Sequence, residues 1–242
     1  MYWRPNKLRL PLIALAAFAA LSATAAAANI LVVRSSGPSA RAYPPGKALA
    51  PNARVTLRQG DTIVLLDGRG TRTLRGPGSY AAGAAAQVTT RSALTVNNNG
   101  RIGRIGASRD PGALPRSPSI WHVDVSQSAT VCVADPRGLV LWRPSATRTV
   151  DLRIAPASGD ASAARTVRWT AGQPTLAWPS DVRILNDAEY RLSIEGVAVP
   201  TRLRFRVLPA APSGLDAQAQ AFIQNGCERQ LDVLIDTVQV PA

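Results

Sequence analysis

The sequence predicts a mainly β fold, built as two strand-rich units with a helix pair at the C-terminus. Three observations carry this. Apolar and polar residues alternate along most of the chain after residue 29. Glycine, proline, asparagine and arginine displace the aliphatics between residues 97 and 118. After Leu215 the apolar residues recur at steps of three and four instead of two. A two-residue period places side chains on opposite faces of a strand, and steps of three and four line one stripe of a helix.

The chain opens with MYWRPNKLR, which carries Arg4, Lys7 and Arg9 and no acid, and continues with the apolar LPLIALAAFAALSATAAAA. A basic start, an apolar middle and a small-residue end are the parts of a secretory signal peptide, here residues 1–28, with cleavage expected after Ala25 or Ala28. The alternative is an inner-membrane anchor over residues 10–28, close to the roughly 20 apolar residues that a span requires. Pro11 and the alanine-rich end favour cleavage, so the expected location is periplasmic or secreted.

Residues 29–96 are expected to form a small β unit. Its strands are ILVVR (30–34), RVTLR (54–58), DTIVLL (61–66) and TRTLR (71–75), with turns at Gln59–Gly60 and Asp67–Gly68. AAGAAAQ (81–87) suits one helical turn, weakened by Gly83. Residues 97–118 read as a linker or long loop.

Over residues 119–209 the period of two strengthens, through IWHVDV, ATVCVA, GLVLWRP, TVDLRIA, RTVRW, TLAWP, EYRLSIEG and RLRFRVLP. In the last of these Arg202, Arg204 and Arg206 share one face while Leu203, Phe205 and Val207 share the other. Short strands at such regular spacing predict an immunoglobulin-like β-sandwich. LVLWRPS (139–145) and LAWPS (176–180) echo each other as strand ends. Residues 213–238 then place Ala217, Ala221, Phe222, Cys227, Leu231, Leu234, Ile235 and Val238 on helical stripes. Asn225–Gly226 is a left-handed stop between two helices packed on the sandwich.

Cys132 and Cys227 are the two cysteines. An even pair in an exported chain predicts a disulfide tying helix to strand, the alternative being two separately buried thiols. The charge is strongly positive: 28 basic residues less the three in the leader leave 25 against 15 acids, and Lys47 is the only lysine beyond the leader. Beyond the inner membrane the polyanions on offer are lipid headgroups, lipopolysaccharide and acidic glycans, not nucleic acid. The partners expected are an envelope protein or an acidic envelope glycan, with membrane-surface contact also open.

Chemistry is thinly supplied. GDTIVLLDGRGTRTLRGPGSY (60–80) resembles a phosphate cradle in its glycines, but it runs into further strand and holds no lysine, so those glycines are assigned to turns. The single histidine, His122, has Asp124 two residues on, yet no G-x-S-x-G elbow occurs; a hydrolase is the least favoured reading. One histidine and two distant cysteines make no metal cluster, and no cofactor is expected. Recognition remains. Arg69, Arg72 and Arg75 are a candidate basic contact surface, and Trp142 and Trp178, at strand ends beside proline, a candidate ligand platform for glycan, peptidoglycan or lipopolysaccharide. Trp121 and Trp169 are assigned to the core.

RVTLRQGDTIVLLDGRGTRTLRGPGSY, followed by RIGRIGAS, resembles the periplasmic FecR-like domain over residues 53–106. The resemblance implies a β-rich sensing or ligand-interaction module. FecR proper carries a cytoplasmic anti-sigma segment before its membrane helix. Only eight or nine residues precede the apolar stretch here, so a direct sigma-factor role is not implied. The reading as a whole is a non-enzymatic exported protein that acts through protein contacts.

Overall fold

The computed structural model describes residues 1, 30–84, 117–158 and 163–238; the leader, residues 97–116 of the linker and the end of AAGAAAQ lie outside the described residues. The fold is mainly β, with several sheets and two short helices at the C-terminal end.

The first unit contains β1 (Ile30–Ser36), β2 (Ala48–Leu49), β3 (Arg54–Leu57), β4 (Thr62–Asp67), β5 (Gly70–Arg75) and β6 (Gly78–Ala81). Four of these form an antiparallel sheet in the order β2-β1-β4-β5, and β3 pairs with β6. Ile30, Val32, Ile63 and Leu65 on one face of the larger sheet meet Val55 and Leu57 of the smaller one in a compact core. Leu31, Val33 and Leu66 on the other face are buried as well. That double burial explains why ILVV reads as an unbroken apolar run rather than an alternation.

Both predicted turns occur, with different outcomes. Asp67 pairs with Gly70 across a two-residue loop, so Asp67–Gly68 opens a hairpin. At Gly60, φ is +84° and the Asp61 amide donates to the Arg58 carbonyl at 3.1 Å, but β3 and β4 lie in different sheets, so this turn is a corner. A Cβ on Gly76 would stand 1.9 Å from the Arg58 carbonyl oxygen, so this glycine is required by close backbone packing. The helical turn expected from residue 81 does not begin there. Ala81 ends β6, Ala82 is buried, and the Gly83 amide donates to Pro51 at 2.7 Å.

The second unit contains β7 (His122–Asp124), β8 (Ala129–Val133), β9 (Val140–Trp142), β10 (Val150–Pro156), β11 (Arg165–Trp169), β12 (Thr175–Ala177), β13 (Glu189–Ile194) and β14 (Thr201–Val207). One sheet runs β11-β10-β13-β14-β8 and another β12-β9-β7. A single core draws on both, from Val123, Val125 and Leu141 to Leu152, Trp169, Leu192, Leu203 and Phe205. Two pairings, β7 with β9 and β8 with β14, are parallel, which side-chain alternation alone does not encode. The echoed segments are direct neighbours: Thr175 pairs with Trp142, Leu176 with Leu141 and Ala177 with Val140.

The chain ends in α1 (Leu215–Asn225) and α2 (Glu228–Thr237). Gly226 takes the left-handed conformation, φ +68°, and the Cys227 amide reaches back to Phe222 at 2.8 Å, so the first helix stops where Asn225–Gly226 predicts. The helices do not pack on the second unit alone. They share a third core with Leu31, Val33 and Leu66 of the first unit and Cys132 and Leu208 of the second, so the pair lies between the two β units. The cause is the second apolar face of β1 and β4, which the helices cover.

Cys132 of β8 and Cys227, the residue capping α2, form a disulfide with Cα atoms 5.8 Å apart. Its sequence separation of 95 restricts the unfolded chain by about 4–5 kcal/mol in the entropy treatment. Disulfides persist in oxidising compartments, in keeping with export. Among the described residues, no helix is long and apolar enough to cross a membrane.

Candidate functional site: a cleft between two sheet edges and a helix

β7 ends the three-stranded sheet and β8 ends the five-stranded one. Between them and α2 lies a cleft of about 440 Å³, with His122, Asp124, Thr130, Arg229, Gln230 and Val233 in its lining. Each wall has a local cause. Val123 and Val125 turn into the core and leave His122 and Asp124 facing outward from β7. On α2, Leu231, Leu234 and Ile235 are buried and Arg229 is exposed.

The cleft is bounded by Gln230, buried with 6% of its surface exposed. Its Oε1 accepts the Cys132 amide at 2.6 Å, and its Nε2 donates to the Cys132 carbonyl at 2.9 Å and the Ile120 carbonyl at 2.8 Å. One side chain thus stands in for a missing strand at Cys132. It also shows which way the backbone points: the N–H and C=O of Cys132 face away from β14. The two-residue period gives Thr130 the same orientation. The Thr130 backbone therefore presents a donor and an acceptor on the free edge of β8, beside the cleft. Open edges of this kind are templates for another extended chain.

His122 lines the same cleft, and its Nδ1 is buried with no hydrogen-bond partner among the described residues. Asp124 turns to Ser126 instead, its Oδ1 accepting the amide at 2.8 Å and the hydroxyl at 2.6 Å. The Ser117 hydroxyl donates to the Ser119 and His122 carbonyls at 2.9 and 3.2 Å. These three side chains, though near one another, form no hydrogen-bonded relay among the described residues.

Two predicted contact sites are redistributed. Trp142 and Trp178 are buried, 6% and 7% exposed, and offer no platform. Trp178 meets Tyr190 and Phe205 edge-on, with centroids 5.4 and 5.3 Å apart, and its indole N–H donates to the Val182 carbonyl at 2.7 Å. Proline beside each tryptophan marks the strand end but not which way the ring faces. Trp169 is in the core as expected, whereas Trp121 is partly buried against the helices, 5.8 Å from Phe222.

Arg69, Arg72 and Arg75 do not form one surface. Arg69 sits at the hairpin tip, 3.3 Å from Asp67. Arg72 and Arg75 are three positions apart, so on a strand they point to opposite faces. Arg75 is exposed. Arg72 is half-buried and bonded to the Ala84 carbonyl, and burial pulls its guanidinium below the usual arginine range.

Sequence reasoning passed over two polar anchors. One is Gln230; the signal was a glutamine at helical spacing between Cys227 and Leu234. The other is Arg143, 5% exposed, which donates to the carbonyls of Gln173, Arg148 and Thr170 at 3.2, 3.0 and 2.8 Å and lies 4.8 Å above Trp169. Among the described residues no group of three or more histidines, cysteines or acids is placed to hold a metal. No protein-family model, curated protein or solved structure matches the chain.

Proposed function

We propose that this is a non-enzymatic exported envelope protein, periplasmic or secreted, which grips an extended segment of a partner protein in the cleft between β7, β8 and α2. The first unit is read as a FecR-like module and the second as an immunoglobulin-like sandwich. The observation that carries the proposal is the edge of β8: Gln230 satisfies its backbone at Cys132, and the two-residue period turns the equivalent groups of Thr130 to the same side, where Thr130 lines the cleft. An added strand gains affinity from main-chain hydrogen bonds and specificity from pockets for alternate side chains. The glycan alternative rested on the arginine excess and on Trp142 and Trp178, and the burial of both rings removes its aromatic platform.

The test is a photo-crosslinking side chain placed at Gln127 in the wild type and in Thr130→Pro, each exposed to envelope extract. Proline deletes the outward N–H without touching the β8–β14 ladder, and edge strands tolerate it. A defined adduct in the wild type that disappears in the proline variant is expected. No adduct, or one of equal yield in both, contradicts the proposal.

A further inference from the structure

The outer face of the five-stranded sheet is rich in arginine, and most of that charge is paired. Arg204 lies 3.4 Å from Glu189, Arg206 pairs with Asp187, and Arg168 lies 3.8 Å from Asp151. The pattern breaks near the turn joining β13 to β14. There Arg191 and Arg202 are direct partners across the ladder, both exposed, and neither makes an ion pair among the described residues. Like charges directly opposite each other destabilise a sheet, so the free protein bears a cost that a bound anion would relieve. A third guanidinium stands beside the turn: Arg148 is exposed, and its Nη2 would be 3.7 Å from a Cβ built on Gly196. Glu195 is the one acid of the turn, leaving the group cationic.

The same turn is apolar at its tip. Its sequence is Gly196-Val197-Ala198-Val199-Pro200, with Val197 54% and Val199 75% exposed. Apart from Met1 and Leu185, these are the large hydrophobic side chains left exposed among the described residues. Val199 and Pro200 join Ser128, Arg191 and Arg202 around an open hollow of about 490 Å³. An apolar tip ringed by guanidiniums matches the order of a bilayer surface, in which phosphates lie outside the acyl region. Arginine suits the phosphates because its planar fork bonds two oxygens at once.

We propose that the β13–β14 turn docks the protein on an anionic phospholipid bilayer, with Val197 and Val199 dipping past the headgroups and Arg148, Arg191 and Arg202 holding lipid phosphates. This site shares no lining residue with the cleft, and it stands or falls independently of the partner segment proposed there.

Vesicle flotation tests it, with the protein as recovered from cells and its N-terminal mass recorded, so that any leader is common to all variants. Vesicles of equal parts phosphatidylglycerol and phosphatidylcholine are compared with pure phosphatidylcholine. Binding to the anionic vesicles, released by salt, is expected. The Arg191→Ser, Arg202→Ser double variant should lose about fivefold for each arginine, and Val197→Ser with Val199→Ser should weaken binding several-fold. All four positions are exposed, and an unchanged circular dichroism spectrum verifies the fold. Equal binding to both vesicle types, full binding by the arginine variant, or binding to lipopolysaccharide alone would overturn the proposal.

Discussion

The two ends of α2 hold the two β units by different means. At its start the helix is fastened to the second unit by directional bonds: the Cys132–Cys227 disulfide and the three hydrogen bonds of Gln230 to the backbone of Cys132 and Ile120. Further along, the first unit is held mainly by apolar packing of Leu31, Val33 and Leu66 in the shared core. To this Thr71 adds its hydroxyl, donating to the Ile235 carbonyl at 3.3 Å, and its amide, donating to Val238 at 3.0 Å; Asp232 pairs with Arg34. Directional bonds pin one strand edge to one register, which the cleft requires. Apolar packing holds the other unit in place with less positional demand.

The comparison breaks most sharply at the disulfide. Replacing both Cys132 and Cys227 with alanine is expected to lower stability by about 4 kcal/mol, the loop-closure contribution, read from the urea midpoint with and without reductant. Reductant should lower the wild-type midpoint and leave the variant unmoved.

Gln230→Ala comes next. It strands the buried amide and carbonyl of Cys132 and the half-buried carbonyl of Ile120, each of which carries a desolvation cost, and the expected loss is about 2–3 kcal/mol. Hydrogen exchange should quicken at the Cys132 amide, which ordinary surface loosening would not single out.

The smallest effects belong to the first unit's attachment. Thr71→Val keeps the backbone bond and loses only the hydroxyl, about 1 kcal/mol. Arg34→Ala removes a pair whose side chains are 42% and 49% exposed, so a loss under about 1 kcal/mol that fades with added salt is expected. A larger loss from Thr71→Val than from Gln230→Ala would reverse the contrast between the two ends.

The arginines show how far the residues could be read. Arg202, Arg204 and Arg206 are two apart and share a face, as the alternation of RLRFRV requires; Leu203 and Phe205 are wholly buried behind them. Arg69, Arg72 and Arg75 are three apart, and on a strand that spacing divides them between faces, so the basic surface dissolved on the same rule. The cleft was less legible. His122 and Asp124 were noticed as a pair, but nothing local indicated that β8 would be a free edge or that a glutamine near residue 230 would occupy part of it.

By itself the sequence determined the local matters: which side of β14 is wet, where the Asp67–Gly68 hairpin turns, and where Gly226 ends a helix. These depend on a residue and its near neighbours. Only the tertiary structure decided that β8 and β14 run parallel, that Trp142 and Trp178 face inward, and that the helices lie between the units instead of on one of them. Alternation says that a face must be covered. What covers it depends on contacts between residues far apart in the chain, and no short stretch carries that information.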